Sequence, residues 1–156
     1  MFRKQELIKV LKIIYNKLIN SNINWVLTGS FSFAIRGLET NIGDIDIQTD
    51  SNGAYEVEKL FKDYIHKKVE YKQSENIRSY FGSLRINDIN IEIMGDIEKK
   101  LDNIWTEPPN LKFLKEIVNF EGMSIPVLSL EYEADAYLKM GRNEKAKKIK
   151  ELIKKF

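Results

Sequence analysis

The chain contains no cysteine and a single histidine, His66. The lack of cysteine excludes disulfides, zinc ribbons, iron–sulfur clusters and thiol nucleophiles. With one histidine, zinc sites built on paired histidines are impossible, and no nucleophile-elbow sequence accompanies His66 to suggest a Ser-His-Asp triad. Any chemistry must therefore use carboxylates, lysines, arginines, hydroxyls and hard metal ions, which are the groups of magnesium-dependent phosphate chemistry.

Long apolar runs are also missing. Lys9, Lys12 and Lys17 interrupt the first amphipathic segment, so we expect no signal peptide, no membrane partner and a cytoplasmic location. The 25 basic and 23 acidic residues leave a formal net charge of +2, which argues neither for nor against nucleic acid. The 156 residues, 43% hydrophobic and 31% charged, suit one globular domain.

Hydrophobic spacing predicts a mixture of helices and strands. Apolar residues three and four apart predict helices over 2–19, 31–36, 54–65, 130–140 and 144–153. Apolar runs and alternation predict strands over 23–27, 44–48 and 120–128, and a hairpin of 80–86 with 89–94. The expected fold class is therefore α/β (α+β), a small mixed sheet flanked by helices.

Two carboxylates stand two residues apart in the strand-like segment Asp44-Ile45-Asp46-Ile47. On a strand, residues i and i+2 point to the same face, roughly 7 Å apart along the chain. Carboxylates on one face repel each other unless a cation lies between them, and magnesium prefers oxygen ligands. The pattern predicts a magnesium site at Asp44 and Asp46.

A third carboxylate, Glu92, stands between Ile91 and Ile93 in a second alternating segment. A strand packed on the core through its isoleucines would display Glu92 on its other face. If this strand lies beside the first, three carboxylates come together, and such a set can hold two metal ions that promote in-line displacement at phosphorus.

Before these strands, an apolar segment runs into Gly29-Ser30 and then into a predicted helix. Glycine lets a phosphate approach the backbone closely, and a helix N-terminus offers free N–H groups with positive potential. Alone, a Gly-Ser turn is a weak signal, because most such turns are only turns.

Together, Gly29-Ser30, Asp44-x-Asp46 and the distant Glu92 resemble the nucleotidyltransferase fold of the polymerase-beta superfamily, and within it the small single-domain enzymes related to lincosamide and aminoglycoside adenylyltransferases. Arg36-Gly37 and the tail from Leu128 through Gly141-Arg142 are similar too. The similarity covers roughly residues 20–142 and implies one nucleotidyltransferase domain over 1–156, with a core of about 20–128 and a helical segment over 129–156. Ile42 stands where such relatives often have threonine.

The resemblance implies an enzyme that transfers a nucleoside monophosphate, expected to be AMP from ATP, to a hydroxyl acceptor. Gly29 and Ser30 would bind the nucleotide phosphates, Asp44 and Asp46 would ligate two Mg²⁺ ions, and Glu92 would complete the catalytic site and help deprotonate the acceptor. Arg36 is a candidate nucleotide-binding residue, with pairing to Glu39 as the equal alternative. Lys139 and Arg142 are expected to be solvated helix residues.

The acceptor stays open at this point: a small molecule, an RNA end or a protein side chain. A protein acceptor would suit an antitoxin-type nucleotidyltransferase acting on a partner protein. A further alternative is a non-catalytic nucleotide-binding module that keeps the fold. Retention of Asp44, Asp46 and Glu92 argues against it, because clustered like charges have no purely structural reason to persist.

Overall fold

A computed structural model describes residues 4–155. The helices are α1 Lys4–Leu18, α2 Gly29–Ala34, α3 Ser51–Leu60, α4 Leu111–Leu114, α5 Leu130–Lys139 and α6 Asn143–Ile153. The strands are β1 Trp25–Thr28, β2 Ile45–Thr49, β3 Ile65–Gln73, β4 Ile77–Ile86, β5 Ile89–Leu101, β6 Ile104–Trp105, β7 Lys115–Phe120 and β8 Met123–Leu128. Part of the helix predicted over 2–19, residues 2 and 3, lies outside the described residues.

The strands form one mixed sheet in the order β3-β4-β5-β2-β1-β8-β7, with the short β6 paired to β5. The hairpins β3–β4, β4–β5 and β7–β8 are antiparallel, whereas β2 runs parallel to β5 and β1 parallel to β8. This arrangement brings β5, which follows β2 by some forty positions in the chain, next to β2 at the centre of the sheet.

The main core lies on one face of this sheet, which we call the core face. Alternation sends Ile45 and Ile47 of β2, and the isoleucines of β5 at 89, 91 and 93, to that face, where they meet buried side chains of α1 and α3. Helices α5 and α6 close a second, smaller apolar cluster with Phe33. Since residues i and i+2 of a strand share a face, the polar residues between the isoleucines point the other way, and we call that side the polar face.

The structure corrects three element predictions. The helix predicted from residue 54 begins earlier, at Ser51, and its first turn includes Gly53, whose N–H donates a hydrogen bond of 2.6 Å to the Asp50 side chain. This helix ends at Leu60, before the predicted 65. The strand predicted over 120–128 begins only at Met123, because Glu121 and Gly122 both adopt positive φ and reverse the chain. Phe120 is the last residue of the preceding strand β7.

The strand β3 was not predicted, and His66, which directly follows the helix predicted over 54–65, lies in it. Its sequence lacks alternation because the strand is at the sheet edge, where of its nine residues only Val69 is buried. In the part of the chain that the structure describes, no helix has both the length and the apolar content needed to cross a membrane.

Candidate active site

Three neighbouring strands align the predicted site residues on the polar face. Thr28, the last residue of β1, lies opposite Asp46 of β2, and Asp46 lies beside Glu92 of β5. Asp44 comes just before β2 begins, and Gly29 follows β1 directly. The sheet register therefore brings Gly29, Asp44, Asp46 and Glu92 together from segments far apart in the sequence.

The carboxylates of Asp46 and Glu92 lie close enough to share a proton. Burial, followed by the charges of Glu92 and Asp44, raises the pKa of Asp46 to about 7. Burial and the charge of Asp44 also raise the pKa of Glu92, while the hydrogen bond with Asp46 and the charge of Lys67 act in the opposite direction. The site thus holds more negative charge than its surroundings stabilise.

This excess charge fits a divalent cation. The donors are carboxylate oxygens, which are the ligands that Mg²⁺ prefers, and a cation would replace the proton that Asp46 and Glu92 otherwise share. Within residues 4–155, no three acidic, histidine or cysteine side chains already surround a single ion position. The charge of Asp44 raises the pKa of both Asp46 and Glu92. The Asp44 side chain would have to turn towards them to complete a set of three metal ligands.

Gly29 begins α2 with a φ of +73°. A Cβ atom at this position would lie 2.5 Å from Oδ2 of Asp46, far inside contact distance. The Gly29 N–H lies near the carboxylate of Glu133 and helps to stabilise its negative charge. Glycine is thus required here by both conformation and the closeness of Asp46.

Sequence reasoning missed Glu133. Glu133 is only 6% exposed, and its carboxylate accepts a 2.6 Å hydrogen bond from the Thr28 hydroxyl. Its Oε2 atom has no hydrogen-bond partner among the described residues. The available signal was the position of Glu133 in α5, three residues after Leu130 and directly before Ala134, on the buried side of the helix. Glu133 therefore ties α5 to the Gly29 turn.

Arg36 is buried and helps to hold α5 against the Gly29 turn. Its guanidinium donates to the carbonyl oxygens of Ser32 and Leu128, at 2.9 and 3.1 Å. Its carboxylate partners are Glu133 at 3.9 Å and Glu116 at 3.7 Å, in place of the predicted Glu39. The nucleotide-binding role of Arg36 stays a prediction, while the observed contacts hold α2, β8 and α5 together.

A cavity of about 180 Å³ extends from Gly29 and Asp46 between the sheet and α5. Gln48 lines it, is 6% exposed and has no partner for its Oε1 atom among residues 4–155. Lys99 and Arg142 also line it, and burial lowers the pKa of Lys99. Lys139 lies outside this cavity lining, exposed and paired with Asp135 at 2.9 Å.

The buried Glu133 predicts a pH dependence of stability. Burial raises its pKa from 4.5 to about 7, so the folded chain holds this proton to higher pH than the unfolded chain. The contribution of Glu133 to the free energy of unfolding should therefore be largest below pH 4.5 and be lost as the pH rises through about 7. Glu133→Gln should lessen this fall by on the order of 1–3 kcal/mol, measured by urea unfolding at pH 5 and pH 8 in chelator.

Glu131→Gln is the matched control, because Glu131 is exposed on the same helix and should leave the pH dependence unchanged. Asp46 titrates over the same window with the same sign, so part of the dependence remains in Glu133→Gln. An identical pH profile in wild type and Glu133→Gln would show that Glu133 does not hold its proton in the folded chain.

Comparison with known proteins agrees with this geometry. Residues 10–153 match the family described as aminoglycoside-2''-adenylyltransferase. The crystal structure of a protein from Thermotoga maritima assigned as a nucleotidyltransferase is 48% identical, with a TM-score of 0.84 over 100% of this chain and 97% of that one. Among curated proteins, none has a sequence that matches.

A lincomycin-bound lincosamide antibiotic adenylyltransferase shares the fold, at 18% identity and a TM-score of 0.50 over 83% of this chain and 82% of that chain. The resemblance drawn from Gly29-Ser30, Asp44-x-Asp46 and Glu92, and the predicted mixed fold class, are both confirmed. The chain belongs to the aminoglycoside-2''-adenylyltransferase family and is a nucleotidyltransferase.

Proposed function

We propose that the enzyme transfers AMP from ATP to a hydroxyl acceptor with the help of two Mg²⁺ ions. The observation that carries the proposal is the register that sets Asp46 against Glu92 on one side and against the end of β1 on the other. A nucleotide triphosphate held at the Gly29 turn would then have its α-phosphate over the carboxylates, as in-line transfer requires.

Asp44, Asp46 and Glu92 would hold the metal. When bound, Mg²⁺ supplies charge neutralisation of the phosphates and of the attacking oxygen. Ser30 offers its hydroxyl and the backbone N–H groups at the start of α2 to the terminal phosphates. Lys99 and Arg142, both lining the adjoining cavity, add positive charge that attracts the triphosphate.

Glu92 would receive the acceptor proton. It lies on the far side of Asp46 from Gly29, which is the side opposite a leaving pyrophosphate. The acceptor oxygen forms a bond to the α-phosphorus as the bond to pyrophosphate breaks, and the hydroxyl proton passes to the Glu92 carboxylate.

The cavity supports ATP as the donor. Gln48 presents a buried amide whose oxygen has no partner among residues 4–155, and a glutamine amide pairs with adenine through one donor and one acceptor. At about 180 Å³, the cavity is smaller than the 300–1,000 Å³ typical of whole ligands, so it suits a base rather than a complete nucleotide.

The direct test is calorimetric binding of ATP, GTP, CTP and UTP with Mg²⁺ and with chelator, together with pyrophosphate release in the presence of candidate acceptors. We expect Mg²⁺-dependent binding that favours ATP, and pyrophosphate release that requires an acceptor. Absence of nucleotide binding in Mg²⁺ would refute the proposal.

Gly29→Ala tests the turn. The added Cβ would displace the Asp46 carboxylate, so turnover should fall on the order of 10²-fold. The left-handed backbone at this position should also cost about 1–2 kcal/mol of stability. Initial rates and thermal unfolding measure the two effects separately.

Gly122→Ala is the control for backbone strain. Gly122 has a similar φ of +78°, but a Cβ there meets no atom within 4 Å. It should lose similar stability and keep full turnover. Equal turnover in the two variants would show that the contact with Asp46 is unimportant for catalysis.

A further inference from the structure

The sheet order separates two sides of the candidate active site. Gly29 follows β1, so a triphosphate bound at its turn lies on the β1 side of Asp46, and the pyrophosphate leaves in that direction. In-line attack requires the acceptor on the opposite side. The acceptor therefore approaches over β5, β4 and β3, which follow β2 in this order towards the sheet edge.

The polar face of those strands carries basic side chains. Ser83 lies opposite Glu92, and Lys67 lies opposite Ser83, which places Lys67 about 10 Å from Glu92, two strand spacings away. The positive charge of Lys67 also acts to lower the pKa of Glu92. Arg85 lies opposite Asn90, the neighbour of Glu92 on that face, and its guanidinium contacts the ring of His66 at 3.3 Å.

Ser83 adds an unpartnered polar group to this face. It is 2% exposed, and its hydroxyl has no hydrogen-bond partner within the described part of the chain. A buried hydroxyl between Lys67 and Glu92 is costly unless something hydrogen-bonds to it.

The basic groups continue away from the carboxylates. Lys72 lies opposite Ser79, six residues along β4 from Arg85, so the row extends about 20 Å. Phe81 stands between them on the same face, with the Lys72 ammonium 5.4 Å from its ring centre. The acidic residue of this row is Glu70, which lies opposite Phe81 and 3.9 Å from Lys72.

We propose that the acceptor is the hydroxyl end of a single-stranded nucleic acid, bound along Arg85, Lys67 and Lys72. A row of positive charge of this length exceeds a single phosphorylated sugar and fits several consecutive phosphates, while an aromatic side chain offers a stacking surface for a base. Aminoglycosides carry several ammonium groups, which this face repels. The 3′ oxygen forms the bond to the α-phosphorus of ATP, its proton passes to Glu92, and pyrophosphate leaves.

This inference rests on the proposed function, but its binding step can be measured alone. A fluorescent single-stranded RNA of about 12 nucleotides, and the matching DNA, are titrated with the protein and followed by anisotropy at low and high salt. The variants are Lys67→Glu and Arg85→Glu. Lys9→Glu is the matched control, because Lys9 is exposed on α1, which packs on the core face.

We expect salt-dependent binding that each of the two variants weakens by about 10-fold and that Lys9→Glu leaves unchanged. With ATP and Mg²⁺, the oligonucleotide should gain one AMP by mass spectrometry, and a 3′-deoxy end should block the gain. ATP affinity should be the same in all variants.

Three results would overturn the inference: no oligonucleotide binding, equal losses in Lys67→Glu and Lys9→Glu, or equal competition by phosphate-free polyglutamate, which would indicate an acidic protein acceptor. Adenylylation of an aminoglycoside without oligonucleotide binding would refute the inference and leave the proposed function standing. Oligonucleotide binding without any ATP binding would refute the proposed function instead.

Discussion

We expect Glu92→Gln to lower turnover by about 10²–10⁴-fold, the usual contribution of a positioned general base. ATP affinity should change little, because Asp44 and Asp46 remain for the metal that accompanies the triphosphate. A group that acts mainly in the transition state affects turnover far more than ground-state binding. Pyrophosphate release and calorimetry on the same preparations measure both quantities. Glutamine keeps the size of the side chain and the strand packing.

Glu98→Gln is the matched control. Glu98 lies on the same strand six residues further on and pairs with Arg78, about 20 Å from Glu92, so turnover should stay close to that of wild type. If Glu92→Gln turns over like Glu98→Gln, Glu92 does not receive the acceptor proton, and the family fold would serve nucleotide binding without this base.

Asp46→Asn should have a comparably large effect of a different kind. Mg²⁺-dependent ATP binding should be lost, since the carboxylate that contacts Glu92 and adjoins Gly29 disappears. The metal-free protein should nevertheless become more stable at pH 8, because burial and the charges of Glu92 and Asp44 oppose the ionised form of Asp46. Removing the disfavoured Asp46 charge should therefore raise the stability of the protein and abolish its function.

Calorimetry with Mg²⁺ and thermal unfolding at pH 8 in chelator test the two halves of this prediction. Asp44→Asn should also weaken binding, whereas Asp63→Asn, at an exposed position in the 3₁₀ turn after α3, should change neither quantity. Unchanged Mg²⁺-dependent affinity in Asp46→Asn would remove Asp46 from the metal site. A drop in its stability at pH 8 would show that the ionised carboxylate is better accommodated than its burial indicates.

Much of the candidate site could be predicted because it lies in strands with strict alternation. In Asp44–Ile47 and in Ile89–Met94 the isoleucines had to face a core, so the carboxylates between them had to face away. The parallel pairing of β2 with β5 places Asp46 beside Glu92. This pairing could only be assumed, because the local sequence of a strand does not determine which distant strand pairs with it.

Other features gave weak or misleading local signals. Glu133 follows the spacing of the buried side of α5, but a charged residue on an amphipathic helix is usually exposed. The packing of α5 against Thr28 shows that it is buried. Strand β3 has nine residues and a single buried one, Val69, because an edge strand with lysines along it has little apolar surface to display. In both places tertiary contacts, rather than local preference, decide the structure.

The hydrogen bond between Thr28 and Glu133 joins residues separated by 105 positions. Closing a loop of this length costs conformational entropy, and that cost falls once the intervening strands are paired. During synthesis, the strands that carry Asp46 and Glu92 leave the ribosome well before α5. The turn at Gly29 is therefore held in place only once the C-terminal helices have docked, so a truncated or newly made chain would carry its acidic residues without a working nucleotide site.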